Sequence, residues 1–246
     1  MDEDASSWYR EIPGSSPGGG TYSFLHKTFK VQINFFNCGD IMSNLKLYSL
    51  ATPNGRKVSI LLEELGLEYE AIKVDIMKGE QHEEWFSKLN PNQKIPVLVD
   101  GDTIITESGA IMWYLAEKHK QFIPEDLSKK TQVSEWLFFQ MASVGPMFGQ
   151  FGHFTKFAKE DIPYAKKRYE DETKRILGVL EKRLENREYL VDEYSIADMA
   201  TFPWVGCLDW GYARADLLEE FPNVKAWHDR CANRPAAKKG AQICKL

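Results

Sequence analysis

Apolar and polar positions alternate legibly from Leu45 onward. Leu45-Lys46-Leu47-Tyr48-Ser49-Leu50 alternates with period two and ends in turn chemistry, which predicts a strand. Thr52-Pro53 is a capping residue followed by proline at a first helical position, and Val58, Leu61, Leu62 and Leu65 then recur at helical spacing until Gly66. Tyr69 to Asp75 reads as a second strand, so the first elements form a βαβ unit. A polar loop and a short helix over Glu83–Leu89 precede two further strands, Ile95–Asp100 and Thr103–Ile105, joined by the tight-turn pair Asp100-Gly101. Ser108 opens a helix carrying Ile111, Met112, Tyr114 and Leu115. The order is βαβ, then ββα.

Beyond Glu125-Asp126, in a polar linker, the pattern changes to helices alone. Thr131–Met141, Pro163–Asn186, Ser195–Cys207 and Val224–Asn233 carry helical periodicity, and Ser195-Ile196-Ala197-Asp198 has the form of a capping box before an apolar run. The Phe-rich segment Met147 to Phe154 interrupts the helical pattern with glycines, so its aromatics either line a second-substrate pocket on a loosened helix or pack between domains or protomers. At the other end, Gly14 to Thr21 is turn-rich and cannot pack a core, while Phe29 to Phe36 is a short apolar run that could dock as a strand. The expected organisation is a flexible extension over 1–44, one domain over 45–124 and an all-helical domain over 125–246.

Composition narrows the class. Of 246 residues 43% are hydrophobic and 27% charged, ordinary values for a chain that buries a core without disulfides. A net charge of −5 removes the long-range attraction for phosphate backbones, so no nucleic-acid partner is expected. No apolar run approaches 18 residues, so no membrane span is expected either. The start Met1-Asp2-Glu3-Asp4 reads as neither a secretory signal nor a transit peptide, which suggests a cytoplasmic protein. Cys38, Cys207, Cys231 and Cys244 have no CxxC spacing, and His119 and His153 have no nearby second ligand, so no metal is expected.

Candidate chemistry gathers at a few turns. Proline after Ile95 marks either a plain edge position or a turn; a cis Ile95–Pro96 bond would leave the Ile95 main chain open to an added peptide strand. Glu107-Ser108 at a helix start is an ordinary cap or a carboxylate site, and Lys94 would add a cation for a second carboxylate. Together they suit a small peptide with carboxylates at both ends. Thr52 and Asn54 sit where a strand gives way to a helix. They either cap it or donate hydrogen bonds to a bound thiolate; lowering a thiol pKa of about 8.5 by two units takes roughly 2.7 kcal/mol.

These residues resemble the cytosolic glutathione transferases from residue 45 to about 240. The segments Asn90 to Asp100 and Glu107 to Leu115 look like that family's glutathione-binding half, and Ser195-Ile-Ala-Asp198 like its helical-domain cap. Thr52-Pro-Asn-Gly-Arg-Lys57, with Gly145-Pro-Met-Phe-Gly-Gln150 and Arg168-Tyr169, is similar to the nu class, whose members often act as disulfide-bond reductases. The resemblance implies a thioredoxin-like βαβββα N-terminal domain, an all-α C-terminal domain and a homodimer, to which the low-charge stretch Trp136–Phe139 would contribute. It implies glutathione as co-substrate, held by Asn54, Gln81, Lys94, Ile95, Glu107 and Ser108. Thr52 and Asn54 would lie near its sulfur, and Arg168 would reach a second glutathione. Phe148, Gln150, Phe151 and Phe154 are the candidates for the second-substrate pocket. The implied reaction is reduction of a disulfide by bound glutathione, or attack on an electrophile or peroxide, with no protein cysteine taking part. Tyr48, four residues ahead of Thr52 within the strand, and Ser49 are weaker candidates for activating the thiol. The alternative is a non-catalytic regulator or scaffold on the same fold, for which an intact Thr52, Lys94 and Glu107-Ser108 would be unnecessary.

Overall fold

The computed structural model describes residues 44–245; the extension expected over residues 1–44 lies outside them except for Asn44. The predicted βαβ unit is present as β1 (Leu45–Ser49), α1 (Pro53–Glu64) and β2 (Glu70–Lys73). A 3₁₀ turn (Glu80–His82) and α2 (Glu84–Leu89) lead to β3 (Val97–Asp100), β4 (Thr103–Thr106) and α3 (Ser108–His119). The four strands form one sheet in the order β2-β1-β3-β4, with β1 parallel to β2 and the other pairs antiparallel. Leu45, Leu47 and Ser49 face inward on β1, as the period-two alternation requires. Leu47 meets the helices' core, whereas Tyr48 lies on the opposite face with Val74, Phe86 and Val97.

The second half is helical: α4 (Leu127–Phe139), α5 (Gly145–Gly152), α6 (Pro163–Leu184), α7 (Ile196–Trp210), α8 (Asp216–Glu219), α9 (Pro222–Ala232) and α10 (Pro235–Gly240). α7 is the central post. Its residues from Ile196 to Leu208 are buried, and α1, α3, α4, α5 and α9 pack around it. The capping box at its start is formed: Asp198 accepts from the Ser195 backbone N–H at 3.0 Å, and Ser195 Oγ accepts from Ala197 N at 3.3 Å. Residues of both halves share one hydrophobic core, from Leu47 and Leu61 to Leu177 and Trp227. α10 closes over α1, where Ser59 Oγ donates to Gly240 O at 2.8 Å and Arg234 forms a two-pronged ion pair with the buried carboxylate of Glu64.

The Phe-rich segment departs from expectation. Met147 to Gly152 stays α-helical within α5 despite its glycines, and His153 and Phe154 begin the π-helical turn His153–Phe157; a second π-helical turn, Gln140–Val144, precedes α5. The glycines permit close packing instead, since a Cβ at Gly152 would stand 2.1 Å from the Tyr212 ring. Among the described residues no helix is long and apolar enough to cross a membrane.

Candidate functional site

Strand register gathers the candidate residues at one end of the sheet. Tyr48 pairs with Val97, and Val97 pairs with Thr106, so these three residues form one row across the strands. Thr52 comes after the end of β1, Ile95 before the start of β3 and Glu107 directly after β4. β2 runs parallel to β1 and ends at Lys73 beside Ser49, which carries the chain toward Gln81 at the same end. His82 Nδ1 and Gln93 Oε1, 2.8 Å apart, tie the 3₁₀ turn to the loop before β3. Residues separated by more than fifty positions are thereby neighbours.

Thr52 caps α1, its Oγ1 accepting from Gly55 N at 3.3 Å. An oxygen that accepts there still has its own O–H to donate outward. Gly55 lets this turn fold back on β1, because a Cβ at that position would lie 1.9 Å from the Leu50 carbonyl oxygen. Asn54 Oδ1 accepts from the indole Nε1 of Trp204 on α7 at 3.0 Å. Indole nitrogen is only a donor, so the contact assigns the amide oxygen to Trp204 and turns the NH₂ group away from it. No acidic residue occupies the first turn of α1, so its positive dipole end is not neutralised locally.

The Ile95–Pro96 peptide is cis. Continuing the β1–β3 register would set Ile95 opposite Leu50, where β1 has already ended; the Ile95 main chain thus lies beyond its partner strand. Lys94 is exposed beside it, and its carbonyl is held by Asn90 Nδ2 at 2.7 Å. Glu107, at φ 66° and ψ 116°, holds a left-handed conformation that a non-glycine residue adopts at a cost, as residues at binding sites often do. Its helix, α3, has no acidic residue in the first turn, and Ser108 is buried there. Gln81 is half-buried, with Oε1 buried and unpartnered.

Beneath α3 lies a residue the sequence reading did not single out. Lys57 is 1% exposed, with Nζ 2.6 Å from Gln140 Oε1, 3.4 Å from Ser108 Oγ and 3.7 Å from Met141 Sδ. Burial pushes its ammonium from the usual lysine range down to about 7, with Glu107 acting in the opposite sense. A sequence signal existed: Lys57 and Leu61 share one inward face of α1. Gln140 had no such signal, since its position depends on the π-helical turn. Trp204, which orients Asn54, read only as part of an apolar helix.

Other candidates separate from this group. Phe148 and Phe151, expected in the second-substrate pocket, are fully buried in the core, which leaves them no open surface to offer. Gln150 is exposed, and half-buried Phe154 stacks on Tyr169 with ring centroids 5.4 Å apart. Arg168 lines a different cleft of about 1010 Å³ between α5 and α6, with Met147, Tyr164, Tyr169 and Arg175. Tyr48 packs toward α2 beside Trp85, and buried Ser49 donates its hydroxyl to Leu50 O. Cys207 and Cys231 are buried, and burial pushes the Cys207 thiol up to about 11 and the Cys231 thiol higher still.

Comparison with known proteins identifies the architecture. The N-terminal domain model of the glutathione S-transferase family matches residues 43–117, and the C-terminal domain model matches residues 144–235. The Escherichia coli disulfide-bond oxidoreductase YfcG is 46% identical over 200 residues, covering 78% of this chain and 92% of YfcG. A second disulfide-bond oxidoreductase of that organism, YghU, is 43% identical over 211 residues, covering 80% and 73%. A glutathione transferase from Pseudomonas putida, solved with one glutathione disulfide per subunit, superposes with a TM-score of 0.80 at 42% identity, covering 84% of this chain and 94% of that one. One from Burkholderia graminis, with two glutathione molecules per subunit, gives 0.78 at 47% identity, covering 81% and 88%. Matched in both halves, and with relatives at 46% and 43% identity along most of its length, the chain belongs to the glutathione S-transferase family.

Proposed function

We propose that the protein is a glutathione-dependent disulfide-bond oxidoreductase whose attacking sulfur belongs to glutathione. One observation carries the reading: a single end of the sheet holds the N-termini of α1 and α3, the Ile95 main chain beyond its partner strand and the donors Thr52 and Asn54. The names of the two Escherichia coli relatives and the glutathione disulfide in the Pseudomonas putida structure support it. Glutathione lies extended in this proposal. Its cysteinyl unit pairs with Ile95, its γ-glutamyl end meets Glu107 and Ser108, and its glycine carboxylate faces Lys94, with Gln81 and Asn54 alongside. Thr52 Oγ1 and Asn54 Nδ2 donate to the sulfur and favour the thiolate.

The thiolate attacks one sulfur of the substrate disulfide. The substrate S–S bond breaks as the glutathione–substrate S–S bond forms, and the leaving thiolate takes a proton. A second glutathione, for which Arg168 supplies a cation, attacks the mixed disulfide; glutathione disulfide and the second substrate thiol leave. Two glutathiones are oxidised for each disulfide reduced. Gln150 and Phe154 remain the aromatic and polar candidates for substrate contact. The reading keeps residues 45–124 as the glutathione half and 125–246 as the helical half. It includes a homodimer in which the apolar cleft between α3 and α4, with Trp113, Leu137 and exposed Phe138, is covered by a second copy. The need for reduced glutathione suits the cytoplasm.

Glutathione binding followed by turnover of 2-hydroxyethyl disulfide, with oxidised glutathione measured, is the test. Stoichiometric formation of glutathione disulfide is expected. Tight binding without turnover would favour the regulator or scaffold alternative, and absence of binding would overturn the reading.

A further inference from the structure

The buried ammonium under α3 has no carboxylate partner. Among the described residues Lys57 takes part in no ion pair, yet it is more completely buried than Ser108, the residue it touches. Charge taken out of water without a counter-ion is costly, so such a group persists where a hydrogen-bonded network or an arriving anion compensates it. Here the network is incomplete. Gln140 accepts from Lys57 through Oε1, but its buried Nε2 has no partner. The remaining neighbours are the Ser108 hydroxyl and the Met141 thioether. Glu107 on α3 is the charged group that acts on Lys57; the π-helical turn contributes only uncharged Gln140 and Met141.

The direction of these bonds matters. Ser108 Oγ accepts from Lys57 at 3.4 Å and turns its own O–H to the Met141 thioether at 3.9 Å, a weak acceptor that a carboxylate arriving at the α3 N-terminus would displace. A carboxylate bound there is joined to the ammonium through one hydroxyl, and each bond in such a chain polarises the next. We infer that Lys57 is a positioning residue that senses the ligand's γ-glutamyl carboxylate through Ser108, so that binding at α3 is coupled to proton uptake by Lys57 and transmitted to Gln140 in the helical half. This inference rests on the proposed placement of glutathione at α3. Its pH range follows from burial. Burial brings the Lys57 ammonium down to about 7, and a nearby carboxylate favours the charged form.

The test uses S-methylglutathione, which has no thiol to titrate. Calorimetric titration of the full chain at pH 7 in phosphate and in Tris, buffers of very different ionisation enthalpy, reads protons exchanged on binding. Net proton uptake on binding is expected, with affinity falling as pH rises, by up to tenfold per pH unit. Lys57→Gln should abolish the uptake and flatten the affinity between pH 6 and 8, while raising KM for glutathione more than it lowers kcat. Lys57→Met serves the same purpose if the glutamine variant does not fold. Wild-type binding with no proton uptake, or uptake unchanged in either variant, overturns the inference while leaving the glutathione site standing. No binding of S-methylglutathione to the wild type overturns both.

Discussion

Trp204 Nε1 donates to Asn54 Oδ1 at 3.0 Å, joining the post of the helical half to the first turn of α1. The contact fixes which end of the Asn54 amide faces the site. If that orientation aims the NH₂ group at sulfur, Trp204→Phe should slow disulfide reduction about fivefold, the equivalent of one neutral hydrogen bond of about 1 kcal/mol. KM for glutathione should barely move. A wild-type rate in Trp204→Phe would show that the amide is held by other means.

Thr52→Val keeps the side chain's shape and removes its hydroxyl. A lost hydrogen bond to charged sulfur is worth about 1.5–3 kcal/mol, so activity should fall roughly 10- to 150-fold while glutathione affinity stays near normal. The absorbance of bound thiolate near 240 nm should titrate at higher pH. Thr52→Ser should be mild. Loss of the cap should also cost about 0.5–2 kcal/mol of stability. Tyr48→Phe, on the opposite face of β1, is the control; a shifted titration there and an unshifted one in Thr52→Val would move the activating role to the tyrosine.

Lys57 sets a pH dependence of the ligand-free fold. Burial lowers its folded-state pKa to about 7, against an ordinary lysine value of 10.5 when unfolded. Between those values the unfolded chain binds a proton that the folded chain does not, so this group's contribution to stability rises with pH. The wild type should gain about 2 kcal/mol relative to Lys57→Gln between pH 7 and pH 9, read from urea midpoints. A difference independent of pH would mean that Lys57 is solvated in the folded state.

Asp198 anchors the start of α7 by accepting from Leu190 N at 2.9 Å, Ser195 N at 3.0 Å and Trp227 Nε1 at 2.8 Å. Asp198→Ala would leave these buried donors without an acceptor and should destabilise the fold by about 3–5 kcal/mol. Asp198→Asn, which retains one accepting oxygen, should cost less. Equal losses in the two variants would indicate that packing, rather than hydrogen bonding, holds this corner.

Replacing all four cysteines, with alanine at buried Cys207 and Cys231, should preserve most of the activity of the folded protein. Burial holds both thiols in their unreactive protonated form, and the Cys244 thiol is also shifted upward. A loss of more than about tenfold with a normal melting transition, roughly 1.4 kcal/mol of barrier, would implicate a protein thiol.

Elements governed by local periodicity were legible in the chain. The alternation of Leu45 to Leu50, the proline after Thr52, the Asp100-Gly101 turn and the Ser195–Asp198 box each act within a few residues, and each appears where its chemistry predicts. Thr52, Asn54, Ile95, Glu107 and Ser108 stood out as candidates for the same reason, because each sits at a strand or helix end. The glycine-rich Phe segment misled. Glycine's local tendency to loosen a helix was outweighed by the ring of Tyr212, which needs the space a missing Cβ leaves at Gly152. That same packing took Phe148 and Phe151 into the core.

What only the tertiary structure decided is how distant ends meet. Strand register sets Thr52, Ile95 and Glu107 at one end of the sheet, although no spacing in the chain encodes that neighbourhood. The partners of Asn54 and Lys57 lie 150 and 83 positions away, on helices whose own patterns are apolar and uninformative about polar contacts. Periodicity determines which face of an element is buried. Which polar group waits on the other side depends on how the faces dock, and in this protein that docking orients Asn54 and buries the charge of Lys57.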